Sequence, residues 1–446
     1  MRNMKEQPTS KKSRGKQIFS FIFGFIGIAA LIFGLGVTNF AQTCSISPNL
    51  GTAASNWDNV FTQNGPGTGL EPSGSAGWTG ADSTYSILLP NGNTAFFFSD
   101  SYIVESPAKT GDATVTTNAN GLRTRQTNCN PPLCDPPASL YRAHNSIVIR
   151  NASGTTLTTK VGAKDGFGYS TSYFKPTNTN HFYWMGDAVV VQTTSTGTKK
   201  VWVFLMEYDN SWTYYGSAIA QLNASTLAIE SINTLTNVPN LTTSWGSAMW
   251  LDGTYGNYYL YIYGIKTVNG KKQPFVALTN PGLGVAGVKN TNNWFVWNGS
   301  SWVVGLNNAV TIAPVTDSIS DEYSVKKFTV NGTPTYIMSG MDTSVPYGTW
   351  KDIVLYTSCA PQGPFTGKYL VYSTPETGST KVPGMTANQN LNKGLLTYNP
   401  HIHPQFSALG YLLISYNINW GGDNSDTIYA DGYRPRFIQV YVPGLQ

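Results

Sequence analysis

One pattern, written five times, constrains this chain more than any other feature of it. A polar residue opens an alternating strand, a turn usually rich in Gly and Asn follows, and a strongly aromatic or β-branched strand returns. The copies run from Asp82 to Asp100, Asp187 to Asp209, Ser247 to Lys266, Glu322 to Asp342 and His401 to Asn419. Their turns are read at Asn91-Gly92-Asn93, Ser195-Thr196-Gly197, Asp252-Gly253, Asn331-Gly332 and Ala408-Leu409-Gly410. Starts lying 60 to 105 residues apart leave room in each unit for two further strands. The pattern therefore predicts an all-β fold of five four-stranded sheets repeated radially, a five-bladed β-propeller. A β-sandwich is the competing architecture, but it does not explain a polar residue at every strand start.

Ahead of the repeats the chain changes character. Residues 1–17 form a basic tail with six Lys and Arg against one acid, and residues 18–37 carry no charge at all. Such a segment directs the rest of the chain to export, either as a helical membrane anchor whose basic flank stays cytoplasmic or as a cleaved signal peptide. Both readings stay open: Ala41 offers a cleavage point, while Asn39 sits where a small residue is wanted. Residues 38–56 read as linker and 57–446 as a single propeller domain. The 28 basic and 23 acidic residues of the whole chain become 22 of each once the tail is set aside. The exported part is neutral, so no basic footprint for nucleic acid remains.

Four cysteines in an exported chain point to disulfides. Three connectivities are open; Cys129 with Cys134 across a Pro-rich loop, leaving Cys44 with Cys359, is the preferred one. The expected location is extracellular, secreted or anchored to the outer face of the cell membrane, with membrane contact only through residues 18–37 and the chain a monomer.

In an antiparallel hairpin, the first residue of one strand and the last of its partner share an end. If the five hairpins are the inner strands of five blades, one face collects Asp82, Asp100, Asp187, Glu322, His403 and Asn417, with Trp245, Ser247 and Tyr263 from the third unit. Arg142 to Ser146, including His144 and Asn145, would start at that same end. Carboxylates converging at a channel mouth suit glycoside hydrolysis, which needs one protonated and one ionised acid. Trp78, Trp184, Trp245 and Trp420 lie near those polar positions and offer flat faces to a sugar ring. The bland reading is that Asp and Asn cap turns at strand ends.

Several stretches carry a resemblance: Gly77-Trp78-Thr79-Gly80-Ala81-Asp82, Phe98-Ser99-Asp100-Ser101, His144-Asn145-Ser146, Trp184-Met185-Gly186-Asp187 and Trp245-Gly246-Ser247. They resemble the uncharacterised-domain propeller families related to bacterial endo-D-arabinanases and, more distantly, the five-bladed arabinanases, xylosidases and fructosidases. The resemblance spans residue 57 to the end. It implies a catalytic acid at the start of the innermost strand in successive blades, with Asp82 as base or nucleophile and Asp187 as its carboxylate partner. Ser247 stands where the arabinanase pattern would place a general acid, which brings Glu322 and Asp100 into consideration. The expected activity is hydrolysis of a furanose-containing, arabinan-type poly- or oligosaccharide; the alternative is a non-catalytic carbohydrate-binding or adhesion propeller.

Other constellations carry less. His401 and His403 alternate onto one strand face and suit substrate hydrogen bonding better than zinc, given four histidines in all. No cofactor is required by the carboxylate chemistry, although Asp423, Asp426 and Asp431-Gly432 leave a structural calcium open. Arg142, Arg434 and Arg436 could clamp a carboxylate as in sialidases, but the sialidase repeats are absent, and Arg434 reads as a rim residue. Residues 105–139 form a long insertion on the acidic face, either walling a cleft or decorating the surface.

Overall fold

The computed structural model describes residues 44–61, 77–104, 113–117, 123–127, 142–155, 157–166, 169–239, 241–378, 394–420 and 432–446. Five antiparallel sheets stand in a ring, accompanied by a three-stranded sheet of Gly77–Ala81, Ser101–Val104 and Arg142–Ala143 and by a separate two-stranded hairpin. The first blade is Tyr85–Leu88, Thr94–Phe98, Ser146–Arg150 and Leu157–Lys160; the second is His181–Gln192, Lys199–Asp209, Tyr214–Asn223 and Ile229–Thr234. The third runs Ser244–Thr254, Asn257–Val268, Lys271–Thr279 and Phe295–Trp297, with Trp302–Val304 added at its edge. The fourth is Ser324–Val330, Thr333–Met341, Asp352–Ser358 and Thr366–Ser373. The fifth takes Leu395–Ile402, Tyr411–Trp420 and Pro435–Tyr441, and is completed by Thr52–Ala53 from the start of the described chain. First strands of successive blades touch one another, so they line the axis.

The inner strands of each blade are largely buried on both faces, and alternation decides which neighbour each side chain meets. Phe97 packs toward the second blade with Met185 and Val203, whereas Phe96 and Phe98 face the fifth with Leu413 and Phe437. In the same way Val203 and Leu205 look back to the first blade while Trp202 and Phe204 look forward to the third. One apolar cluster thus fills each of the five gaps between blades. That explains why the returning strands are apolar almost throughout.

Near the axis the innermost strands are interrupted. Register shifts fall between Met185 and Ala188, between Trp245 and Ala248, and between Tyr398 and His401. In the first blade, Ser83 and Thr84 take φ 72° and 41° at the corresponding break. A bulge re-aims side chains at the price of local pairing. Two glycines make the second and third bulges fit: a Cβ on Gly186 would lie 2.5 Å from the Gly246 carbonyl, and one on Gly246 would lie 2.4 Å from Phe204.

The bulges correct the expectation that the polar residues open their strands. Asp187 lies inside a strand that begins at His181, and His401 inside one that begins at Leu395. His401 and His403 are therefore carried down the axis, away from Asn419, which pairs with Leu396. The third turn is also displaced, to Tyr255-Gly256, with Gly253 paired to Tyr258. Asp252 is drawn off the turn because its carboxylate accepts from Lys327 at 3.0 Å and from the Tyr336 hydroxyl at 3.0 Å, both on the fourth blade.

The stretch expected as linker is partly built in: Cys44 is disulfide-bonded to Cys359, Thr52–Ala53 is a blade strand and Ser55–Val60 is helical. Cys129, Cys134, Asp423, Asp426 and Asp431 lie outside the described residues, as do residues 18–37. Among the described residues no helix is long and apolar enough to cross a membrane. The Cys44–Cys359 bond suggests an extracytoplasmic setting. Within the insertion, Ala113–Thr117 and Arg123–Thr127 pair as a hairpin.

Candidate functional site

A cavity of about 440 Å³ opens where the first strands begin. Its floor holds Asp82, Asp100 and Glu322, the exposed Asp321 lies at its margin, and its walls include Trp184, Tyr208, Trp212, Tyr347, Trp350 and Tyr398. Asp82 reaches it from the break between Gly77–Ala81 and Tyr85–Leu88, and Glu322 from the segment just before Ser324–Val330.

Burial pushes the Glu322 carboxyl well above the ordinary carboxylate range; the charge of Asp82, and less strongly that of Asp321, adds to the rise. Hydrogen bonds from Ser83 and Tyr85 oppose it. The Ser83 hydroxyl donates to Glu322 Oε1 at 2.9 Å, and His401 Nε2 stands 3.4 Å from Oε2. Asp82 accepts the Tyr398 hydroxyl on Oδ2 at 3.0 Å. Burial and the neighbouring Asp82 keep that phenol's pKa well above its usual value, so it remains a donor. A buried carboxyl with a raised pKa thus shares the cavity with a second carboxyl held by a phenol, and such unlike environments set the titrations of two carboxyl groups apart.

Asp100 organises the adjoining wall. Its Oδ1 lies 2.9 Å from His144 Nδ1 and 3.2 Å from the Trp184 indole nitrogen, and His144 stacks on Phe182 at 4.0 Å. Asp82, Asp100, Glu322 and Trp184 are therefore gathered into one cavity, with His144 directly behind it.

The remaining residues singled out in the sequence lie elsewhere. Asp187 is buried below the cavity, where Lys326 Nζ approaches Oδ2 at 2.7 Å and the Met249 backbone N–H donates to the same oxygen at 2.8 Å. Ser247 is buried at the equivalent bulge and its carbonyl accepts the Tyr85 hydroxyl at 3.2 Å. His403, whose pKa burial and Lys326 lower to about 3, lies 2.6 Å from the Ser86 hydroxyl through Nδ1. Asn417 bonds Thr84 and the Ala81 carbonyl, and Asn145 bonds the backbone of Phe174 and Tyr183. Trp78 packs on Phe61 and Phe98, Trp245 on Trp294, and the Tyr263 hydroxyl donates to the Pro361 carbonyl. Arg434 donates to the Asp58 carbonyl at 3.0 Å.

Sequence reading did not assign Tyr208, Trp212, Asp321, Tyr347, Trp350 or Tyr398 to the site. Three of these lie on loops between second and third strands, and the Asp-x-Ser runs at Asp209 and Asp342 were the available signal.

The sequence matches no curated protein. A protein from Bacteroides ovatus ATCC 8483, described as a "putative hydrolase", has a crystal structure that matches with a TM-score of 0.59 at 18% identity, covering 90% of this chain and 97% of that one. At that identity the likeness is one of fold. Lower scores relate the chain to the α-L-arabinofuranosidase PaAbf62A of Podospora anserina in complex with cellotriose (TM-score 0.40, 10% identity, 90% of this chain and 98% of that one). The endo-arabinase from Bacteroides thetaiotaomicron VPI-5482 matches at a TM-score of 0.37 and 13% identity, over 81% of this chain and 94% of that one. Residues 73–442 match the family described as "Domain of unknown function (DUF5005)", and the chain belongs to that family.

Proposed function

We propose that this protein is an extracytoplasmic glycoside hydrolase acting on a furanose-containing, arabinan-type polysaccharide, with Glu322 as the proton donor and Asp82 as the ionised carboxylate. The observation that carries the reading is Glu322, buried at an axial cavity that Asp82 also lines, its carboxyl pushed well above the ordinary carboxylate range by burial and by the charge of Asp82. A protonated acid can deliver its proton to the departing glycosidic oxygen, while its ionised partner serves the anomeric centre as base or nucleophile. Asp100 holds Trp184 and His144 in place along the wall that would meet the sugar. Asp187, engaged by Lys326, is assigned to positioning the second blade's inner strand.

The test is release of reducing sugar by the full chain from D-arabinan, L-arabinan, fructan and galactan. Asp82→Asn and Glu322→Gln should each lower turnover by about 10²–10⁴-fold on the polymer that is cleaved. Turnover untouched by both substitutions would sink the assignment. Ser247, standing where the arabinanase pattern would place an acid, favours one other reading, a carbohydrate-binding propeller without catalysis. Polymer binding by the wild type with no sugar released would establish it.

A further inference from the structure

The second and fourth blades each send up a loop between their second and third strands, and both loops are built by the same device. In the second blade, Asp209 Oδ1 accepts the backbone N–H of Ser211 at 2.8 Å and of Thr213 at 2.9 Å. The Tyr215 hydroxyl donates to Oδ2 at 3.2 Å, and the Trp212 N–H donates to the Asp209 carbonyl at 3.0 Å. In the fourth blade, Asp342 Oδ1 accepts the Ser344 N–H at 3.0 Å and its hydroxyl at 2.6 Å, while Lys368 holds Oδ2 at 2.9 Å. The Trp350 indole then closes the loop on the Val345 carbonyl at 2.9 Å.

Each of these fixed loops presents an aromatic ring to solvent at the cavity. Trp212 is 57% exposed and Tyr347 is 73% exposed, and both line the cavity wall. Trp212 takes φ 64°, a left-handed conformation that costs a bulky residue energy and that burial of its ring does not compensate. It is backed by Trp184 at 5.0 Å, as Tyr347 is backed edge-on by Trp350 at 5.0 Å. The two rings come from the second and fourth blades, which the third blade separates, and they line one cavity together with Asp82 and Glu322.

Exposed rings held rigid in one cavity with a pair of carboxyl groups fit the apolar faces of two sugar units in one chain, and rigidity lowers the ordering cost of binding them. The cavity's carboxyl groups, with Lys272 at its margin taken up by Asp321, disfavour a polyuronate. We propose that an uncharged polysaccharide lies across the cavity with one sugar ring on Trp212 and another on Tyr347, and is cut at an internal linkage. Cleavage rests on the hydrolase assignment above; the two-ring binding site does not. In the reaction one internal glycosidic C–O bond breaks and water adds across it. Glu322 gives its proton to the departing oxygen, the hydroxyl of water goes to the anomeric carbon, and the remaining proton of that water restores the acid.

The full chain is titrated by calorimetry with the four polysaccharides named above and with the monosaccharide of each. Trp212→Ala and Tyr347→Ala should each lower the ratio of polymer to monosaccharide affinity about tenfold, with Trp212→Phe restoring most of it. On a cleaved polymer, viscosity should fall well ahead of the appearance of reducing ends. Equal loss of affinity for polymer and monosaccharide, no loss for either, or release of single sugars from the outset overturns the proposal. A length-dependent loss on a polymer that is bound and never cut keeps the two-ring site and removes the hydrolase assignment. Binding of none of the four polymers removes both.

Discussion

Glu322 is the residue whose protonation couples the site to the fold. Its carboxyl titrates well above the ordinary value because burial and Asp82 disfavour its charge. The sign is set by linkage: the folded state holds a proton that the unfolded chain gives up at the ordinary carboxylate pKa. Stability associated with this group is complete below that ordinary value and is lost as pH rises through the folded one. Glu322→Gln removes the titration while keeping a side chain that Ser83 and His401 can still bond. Denaturant unfolding should find this variant close to wild type in acid and more stable above neutrality, by about 1–3 kcal/mol, the scale of relieving an uncompensated buried group. A wild type equally stable in acid and base, relative to the variant, would mean that the carboxyl is not held neutral. The sequence exposed Glu322 and Asp82 as acids before apolar strands, and the fold sets both at one cavity. It could not expose Asp187 as an ion-paired group, because its partner Lys326 lies 139 residues away with no local mark of the pairing.

At the scale of elements, hairpin alternation was readable from the sequence because each blade strand repeats with a period of two between Gly- and Asn-rich turns. The axial bulges were not, since one added residue becomes visible only when a strand is counted against its partner. That hidden register moved His401 and His403 into the core and set Asp187 where it joins three blades. Its carboxylate takes the Lys326 ammonium from the fourth blade and the Met249 N–H from the third. Both charged side chains are almost wholly buried, so breaking the pair strands a charge. Lys326→Met should lower unfolding stability by about 3–5 kcal/mol, and adding Asp187→Asn should recover part of it. The same argument says that Asp187→Asn alone loses activity together with its melting transition, whereas Asp82→Asn loses activity with the transition intact. A stable, inactive Asp187→Asn protein would return Asp187 to the chemistry.

The whole ring depends on how its ends meet. The fifth blade is completed by Thr52–Ala53 pairing with Gln439 and Ile438, and the Gly51 N–H crosses to the Val371 carbonyl of the fourth blade. Asp58 Oδ1 accepts the Phe437 N–H at 2.8 Å just beyond this short strand. Cys44, bonded to Cys359 across a sequence separation of 315, ties the segment to the fourth blade and closes the first three blades and most of the fourth into one covalent loop. Closing so long a loop restricts the unfolded chain strongly, so Cys44→Ser with Cys359→Ser should lower stability by about 2–5 kcal/mol while leaving the blade pairing formed. Deleting residues through 54 should do more, because it also uncovers the backbone edge of Pro435–Tyr441, which then becomes a template for another chain. Denaturant midpoints would order the three proteins as wild type, double serine variant, truncation, and light scattering would find self-association in the truncation alone. Equal midpoints for the serine variant and the truncation would show that the disulfide, and not the strand, holds the ring shut.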